Sequence, residues 1–143
     1  MIRLHGRARF GLALLAASLC FGCFGCGPSF DFGLVQGTVT LDKKPVEGAT
    51  VQFYPIIKDG QPVPPTSSAT TDASGHYELV ARNDQKGAVI GPHKVIVLYP
   101  ALGGGEPANR TPIPQKYTIA AKTPLLVDVK PGPGEYPLEL KSK

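Results

Sequence analysis

The sequence has no tryptophan, one methionine and three cysteines, and all three cysteines fall at or before residue 26. A domain without cysteine beyond that point cannot be stapled by disulfides and offers no thiol nucleophile. Histidine is equally scarce: His5 lies near the N-terminus, and only His76 and His93 remain in the body of the chain. None of Ser67, Ser68 and Ser74 stands in a Gly-x-Ser-x-Gly elbow. Beyond residue 27 no run of apolar residues recurs at helical spacing, so little or no helix is expected there. An excess of positive charge is also missing where it would matter. The formal charge is +4, but setting Arg3, Arg7 and Arg9 aside leaves twelve basic against eleven acidic side chains. A nearly neutral domain lacks the electrostatic footprint of a nucleic-acid binder, and that partner class is excluded.

What is abundant is proline and glycine, with 15 and 17 residues, and every proline lies beyond residue 27. This density fits an all-β domain with many turns and proline-bearing edges. Val35, Gly37, Val39 and Leu41 alternate with polar Gln36, Thr38 and Thr40, the period of a half-buried strand. Asp42-Lys43-Lys44-Pro45 brings turn chemistry, Gly48 closes it, and Ala49, Val51 and Phe53 alternate again, so residues 35–53 read as a hairpin. Asp42–Pro45 chemistry recurs in Asp72-Ala73-Ser74-Gly75, where Asp72 bonds the backbone two residues on and Gly75 takes positive φ. The apolar run Val95–Leu98 reads as a central strand covered on both faces. The expected strands are 34–41, 49–55, 67–71, 76–82, 92–99, 114–117, 125–130 and 135–140. The apolar phase predicts a core of Val39, Leu41, Val51, Phe53, Tyr77, Leu79, Val95, Val97, Val127, Val129, Leu138 and Leu140.

The N-terminus has different architecture. Arg3, Arg7 and Arg9 precede an apolar run from Phe10 to Leu19, followed by small residues and the cysteines. This is secretory-signal patterning, and the run is short for a spanning helix. The cysteine cluster resembles a bacterial lipobox, in which a small residue precedes a lipid-bearing cysteine. Gly25-Cys26 fits with polar Gly27-Pro28-Ser29 following, and Gly22-Cys23 is the alternative; both carry Cys instead of Leu three positions earlier. The resemblance implies residues 1–25 as a cleaved signal peptide, Cys26 as the lipidated residue (Cys23 otherwise) and 26–33 as a short tether. Cys23-Phe24-Gly25-Cys26 also has metal-ligand spacing but lacks a fourth ligand, so no metal is expected.

The motifs at 35–53, 71–79 and 91–99, with Pro114-Gln115-Lys116-Tyr117, resemble the carboxypeptidase regulatory-like domains on short lipoproteins of planctomycete-type bacteria. The resemblance spans about residues 34–141. It implies an immunoglobulin- or transthyretin-like antiparallel β-sandwich of about seven to eight strands over residues 34–143. It further implies a non-catalytic binding or structural module without a cofactor, anchored outside the cytoplasm and meeting an envelope protein or glycan. The rival is an accessory subunit, or a transthyretin-like hydrolase whose site is built from loops. Hydroxyisourate hydrolases of this fold end in Tyr-Arg-Gly-Ser, whereas this chain carries Tyr136-Pro137-Leu138-Glu139. The Lys–Asn isopeptide of related collagen-adhesin sandwiches is excluded too, because the first strand lacks the lysine and the last lacks the asparagine. Asp72, Ser74 and Gly75 give about three oxygens where calcium takes six to eight, so Asp72 and Gly75 are read as a structural turn.

Antiparallel order of the expected strands sends the connections to alternate ends. The end where the tether enters is expected to hold 56–66, 83–91 and 118–124; the far end, 42–48, 72–75, 100–113 and 131–134. Recognition is expected at the far end, on Lys43, Lys44, Gly103, Gly104, Gly105, Asn109 and Arg110, because loops on rigid scaffolds carry it. The aromatic candidates for a sugar face are Tyr54, Tyr99 and Tyr117.

Overall fold

Phe32–Leu41, strand β1, is the spine of one of two sheets in this computed structural model, which describes residues 27–100 and 110–143. Its residues alternate between buried and more exposed positions from Gly33 to Leu41, as the sequence period requires. Five short strands pair with it. Along one edge lie β7 (Ala88–Val89), β5 (His76–Glu78) and β2 (Lys44–Pro45), all antiparallel. Along the other run β10 (Gly132–Glu135) and β11 (Leu138–Leu140), both parallel to β1. The second sheet has the order β6 (Val80–Ala81), β4 (Ser67–Thr70), β3 (Thr50–Pro55), β8 (Gly91–Leu98), β9 (Leu126–Val129), antiparallel throughout. The architecture is all-β, with one helical turn, α1 (Gln115–Thr118). No helix among the described residues is long and apolar enough to cross a membrane.

The two sheets close on a core of Val39, Leu41, Val51, Phe53, Tyr77, Leu79, Val95, Val97, Val129, Leu138 and Leu140, all buried. These are the residues of the apolar phase, with one exception: Val127, on edge strand β9, is only partly buried. Phe53 from the second sheet meets Tyr77 from the first, ring centroids 6.4 Å apart. Burying each such side chain contributes about 1.5–3 kcal/mol, so the cross-sheet contact is where the halves are held together. Tyr77 also donates its hydroxyl to the Tyr136 carbonyl at 2.6 Å, tying β5 to the crossing between β10 and β11. Burial pushes the pKa of this phenol well up. Ile96, on the opposite face of β8, is buried as well, so Val95–Val97 is covered on both faces.

Several expected features take another form. Residues 35–53 are not a β1–β3 hairpin. Asp42 and Lys43 have φ of 50° and 67°, the primed two-residue loop that folds β2 back on β1, and the chain then crosses to the other sheet. Strand 76–82 is split at Leu79 into β5 and β6, which belong to different sheets. Residues 131–134, read as a turn at the far end, supply strand β10 beside Gly33–Gln36. Prolines suit this place because β10 is an edge, with no second neighbour needing the missing N–H. Residues 114–117, read as a strand, form α1 instead: Pro114 holds φ at −57° and the Tyr117 N–H bonds the Pro114 carbonyl at 2.9 Å. The strand count is therefore eleven short segments among the described residues, not seven or eight, and the pairing is not wholly antiparallel.

Candidate functional site

The direction of β1 defines two ends. Gly27 to Asp31 leads into its first residue, so the entry end also holds the loop at 56–64, of which Ile56, Ile57, Lys58, Gln61, Pro62 and Pro64 line one cavity with Ser29, Phe30, Asp31, Val89, Ile90 and Pro92. The far end begins where β1 stops at Leu41. It carries the Asp42-Lys43 loop, the turn at Asp72–Gly75 and the start of the described chain at Arg110. The Gly75 carbonyl accepts the Val39 N–H at 2.8 Å, fixing that turn on β1. Arg110 stacks over the Tyr99 ring at 4.9 Å and packs so close to Gly48 that a Cβ there would stand 2.8 Å from the guanidinium. Gly48 thus permits the approach of Arg110. The expectation that 42–48, 72–75 and the flank of 100–113 share one end holds. That for 118–124 does not: α1 lies at the far end, and Thr123 bonds the Val95 carbonyl at 2.6 Å, halfway along β8.

The far end contains a groove of about 620 Å³ lined by Thr40, Asp42, Lys43, Glu139, Leu140, Lys141, Ser142 and Lys143. Asp42 organises it. Its carboxylate accepts the Ser142 N–H at 3.1 Å, and its own N–H donates to the Leu140 carbonyl at 2.9 Å. Hydrogen bonding from the Ser142 side chain and backbone, with Lys44 and Lys116 nearby, holds its carboxyl below the usual carboxylate range. Lys116 reaches the Lys143 carbonyl at 3.1 Å and lies over the Tyr117 ring at 5.1 Å. Lys43, Lys44, Lys116, Lys141 and Lys143 therefore surround one ionised aspartate. Of these, the sequence reading singled out Lys43 and Lys44. The others escaped it because the return of β11 parallel to β1, and the inward turn of Tyr117, bring the C-terminal lysines here. Tyr117 accepts the Lys141 N–H at 3.1 Å through its hydroxyl and is buried, so it offers no platform for a sugar.

Asp72 is fully committed to its turn. One oxygen accepts from the Ser74 N–H at 2.9 Å, the Ser74 hydroxyl at 2.7 Å and the His76 N–H at 2.9 Å, lowering its pKa. Gly75 has φ of 76°, and a Cβ there would lie 2.5 Å from the Val39 carbonyl oxygen. No group of three His, Cys, Asp or Glu side chains gathers among the described residues.

Two buried polar groups sit on the inner face of the second sheet. His93 Nδ1 pairs with the Gly91 carbonyl at 2.9 Å, its ring lies 5.7 Å from Phe53, and burial lowers its pKa. Its Nε2 and the Ser67 hydroxyl have no hydrogen-bond partner and no exposure. Tyr54 lies on the outer face of that sheet and donates to the Gln52 side chain at 2.7 Å; both line a shallow polar groove with Ser68, Arg82 and Asp84. Cys23, Cys26, Gly103, Gly104, Gly105 and Asn109 lie outside the described residues. No family model, curated protein or solved structure matches the chain.

Proposed function

We propose that this chain is a non-catalytic, extracytoplasmic β-sandwich of the carboxypeptidase regulatory-like, transthyretin-like kind, anchored by lipid at Cys26 and binding an envelope partner at its far end. The observation that carries the binding role is Lys43. It stands at φ of 67°, a conformation a glycine or asparagine holds at lower energy, yet its side chain lines the lysine-rich groove. Strain of this kind persists at surfaces that recognise something. Five lysines around Asp42 favour a partner bearing carboxylates, whether an acidic protein surface or an acidic glycan. The anchoring role is supported by the basic and apolar N-terminal run ending in Gly25-Cys26 and by the entry of Gly27 opposite that groove. A diacylglyceryl group with an added acyl chain makes stable attachment, where one chain gives marginal binding.

The test has two readouts. Intact mass of the membrane-purified protein should equal residues 26–143 plus acyl mass; an unmodified N-terminus at another residue overturns the anchor. Capture of partners from envelope fractions should fall for the Lys43→Glu, Lys141→Glu double variant; unchanged capture overturns the binding surface.

A further inference from the structure

Among the described residues, three of the six large apolar side chains that stand exposed belong to a single loop at the entry end: Ile56 and Ile57, each 43% exposed, and Val63 at 76%. A fourth, Leu34, lies near the start of β1 and is half exposed. The Ile56 N–H still bonds the Pro92 carbonyl of β8 at 2.9 Å; beyond it Pro62, Pro64 and Pro65 keep the loop from pairing as a strand, with Ile57 and Val63 exposed. It shares a cavity of about 420 Å³ with Ser29, Phe30 and Asp31, the residues that join the body to the apolar N-terminal run. Charge here is nearly balanced: Asp31 and Lys58 line that cavity, and the loop also carries exposed Asp59. Exposed apolar side chains gathered on one loop mark a place where something apolar is met.

We infer that the Ile56–Pro64 loop is a second membrane contact, seating Ile57 and Val63 in the interfacial region of the bilayer beside the anchor. This rests on the anchored reading. Gly27 emerges at this end, and six residues from Gly27 to Phe32 span at most about 20 Å, so an anchor at Cys26 holds the loop at the lipid surface. Apolar side chains at that depth partition into the boundary between headgroups and acyl chains. With one cation and two carboxylates here against five lysines at the far end, fewer charges need to shed their water at the bilayer boundary.

The experiment uses the full membrane-purified chain in vesicles of phosphatidylethanolamine and phosphatidylglycerol. An environment-sensitive fluorescent amino acid replaces Val63, or Lys43 as the far-end control, and quencher-bearing lipids report contact. The expected result is flotation with the vesicles, a blue-shifted probe at position 63, and quenching there at least about threefold stronger than at position 43. Flotation with a water-like, unquenched probe at position 63 overturns the loop contact and leaves the anchor standing. A blue shift without lipid quenching, growing with protein density, overturns it in favour of self-association. Absence of flotation overturns both.

Discussion

At the end where Gly27 enters, the outward side chains are Ile56, Ile57 and Val63; at the other end they are Lys43, Lys44, Lys141 and Lys143. The same two sheets present both surfaces, some eight to ten residues of strand apart, and the core between them is continuous. The difference comes from how each end is built. The entry end carries a proline-rich loop that leaves the strand pairing after Ile56, with Ile57 and Val63 exposed. The far end is a convergence: the Asp42-Lys43 loop, α1 and the end of β11 bring distant lysines around one carboxylate. The proposed separation of a lipid-facing and a partner-facing surface would need nothing beyond a rigid sandwich and two differently furnished ends.

Breaking the scaffold should blur that separation most. Phe53→Ala removes the ring that contacts Tyr77 across the sheets, and should cost about 3–5 kcal/mol in urea unfolding. A loss below about 1 kcal/mol would mean that the sheets are held elsewhere. Next comes a matched pair of glycines, one at each end. Gly75 and Gly60 both have positive φ, 76° and 81°, but a Cβ at Gly75 meets the Val39 carbonyl whereas one at Gly60 meets nothing. Gly75→Ala should cost about 2–4 kcal/mol, conformational strain plus collision, and Gly60→Ala about 1 kcal/mol. Equal losses would show that the turn at Asp72 yields as easily as the open loop.

Acid sensitivity should be a smaller effect. His93 is held below its ordinary pKa of 6.5 by burial. The unfolded chain therefore takes up a proton that the folded chain resists, so stability falls as pH drops from about 6.5 towards the folded value. His93→Leu should flatten that part of the stability–pH curve measured by thermal unfolding; an unchanged slope would place the titration elsewhere. Smallest is Lys43→Gly, which relieves a positive φ and should change stability by only a few tenths of a kcal/mol, in the favourable direction, while weakening envelope capture. Lost capture without lost stability would separate recognition from folding at the far end.

Much of this was legible from residue types. The apolar phase of β1, β3 and β11 was readable because one face is buried and the period is two, and β8 because Val95–Leu98 is an unbroken apolar run. Gly75 was readable because Asp72 and Ser74, three residues and one residue before it, announce the turn chemistry. Sheet membership was not: the 35–53 stretch has the pattern of a hairpin, and only the two-residue return of β2 shows that the chain then changes sheets. The Pro131-Gly132-Pro133-Gly134 run was opaque for a related reason, since its composition says turn while an edge beside β1 accepts it as a strand. Tyr117 reads as an exposed aromatic until Pro114 starts a helical turn and rotates it inward. The lysine-rich groove depends on these last two features, so Lys141 and Lys143 could not be assigned to it from spacing alone.

The opposition of the two ends is tested most directly by lysine labelling of the membrane-bound chain, read by mass spectrometry and compared with the same chain released into detergent. The account predicts that Lys58, in the entry-end loop, is protected on the membrane and labelled after release. Lys43, Lys44 and Lys141 should label equally in both states. Equal labelling of Lys58 and Lys43 on the membrane, or protection confined to the far-end lysines, would contradict it.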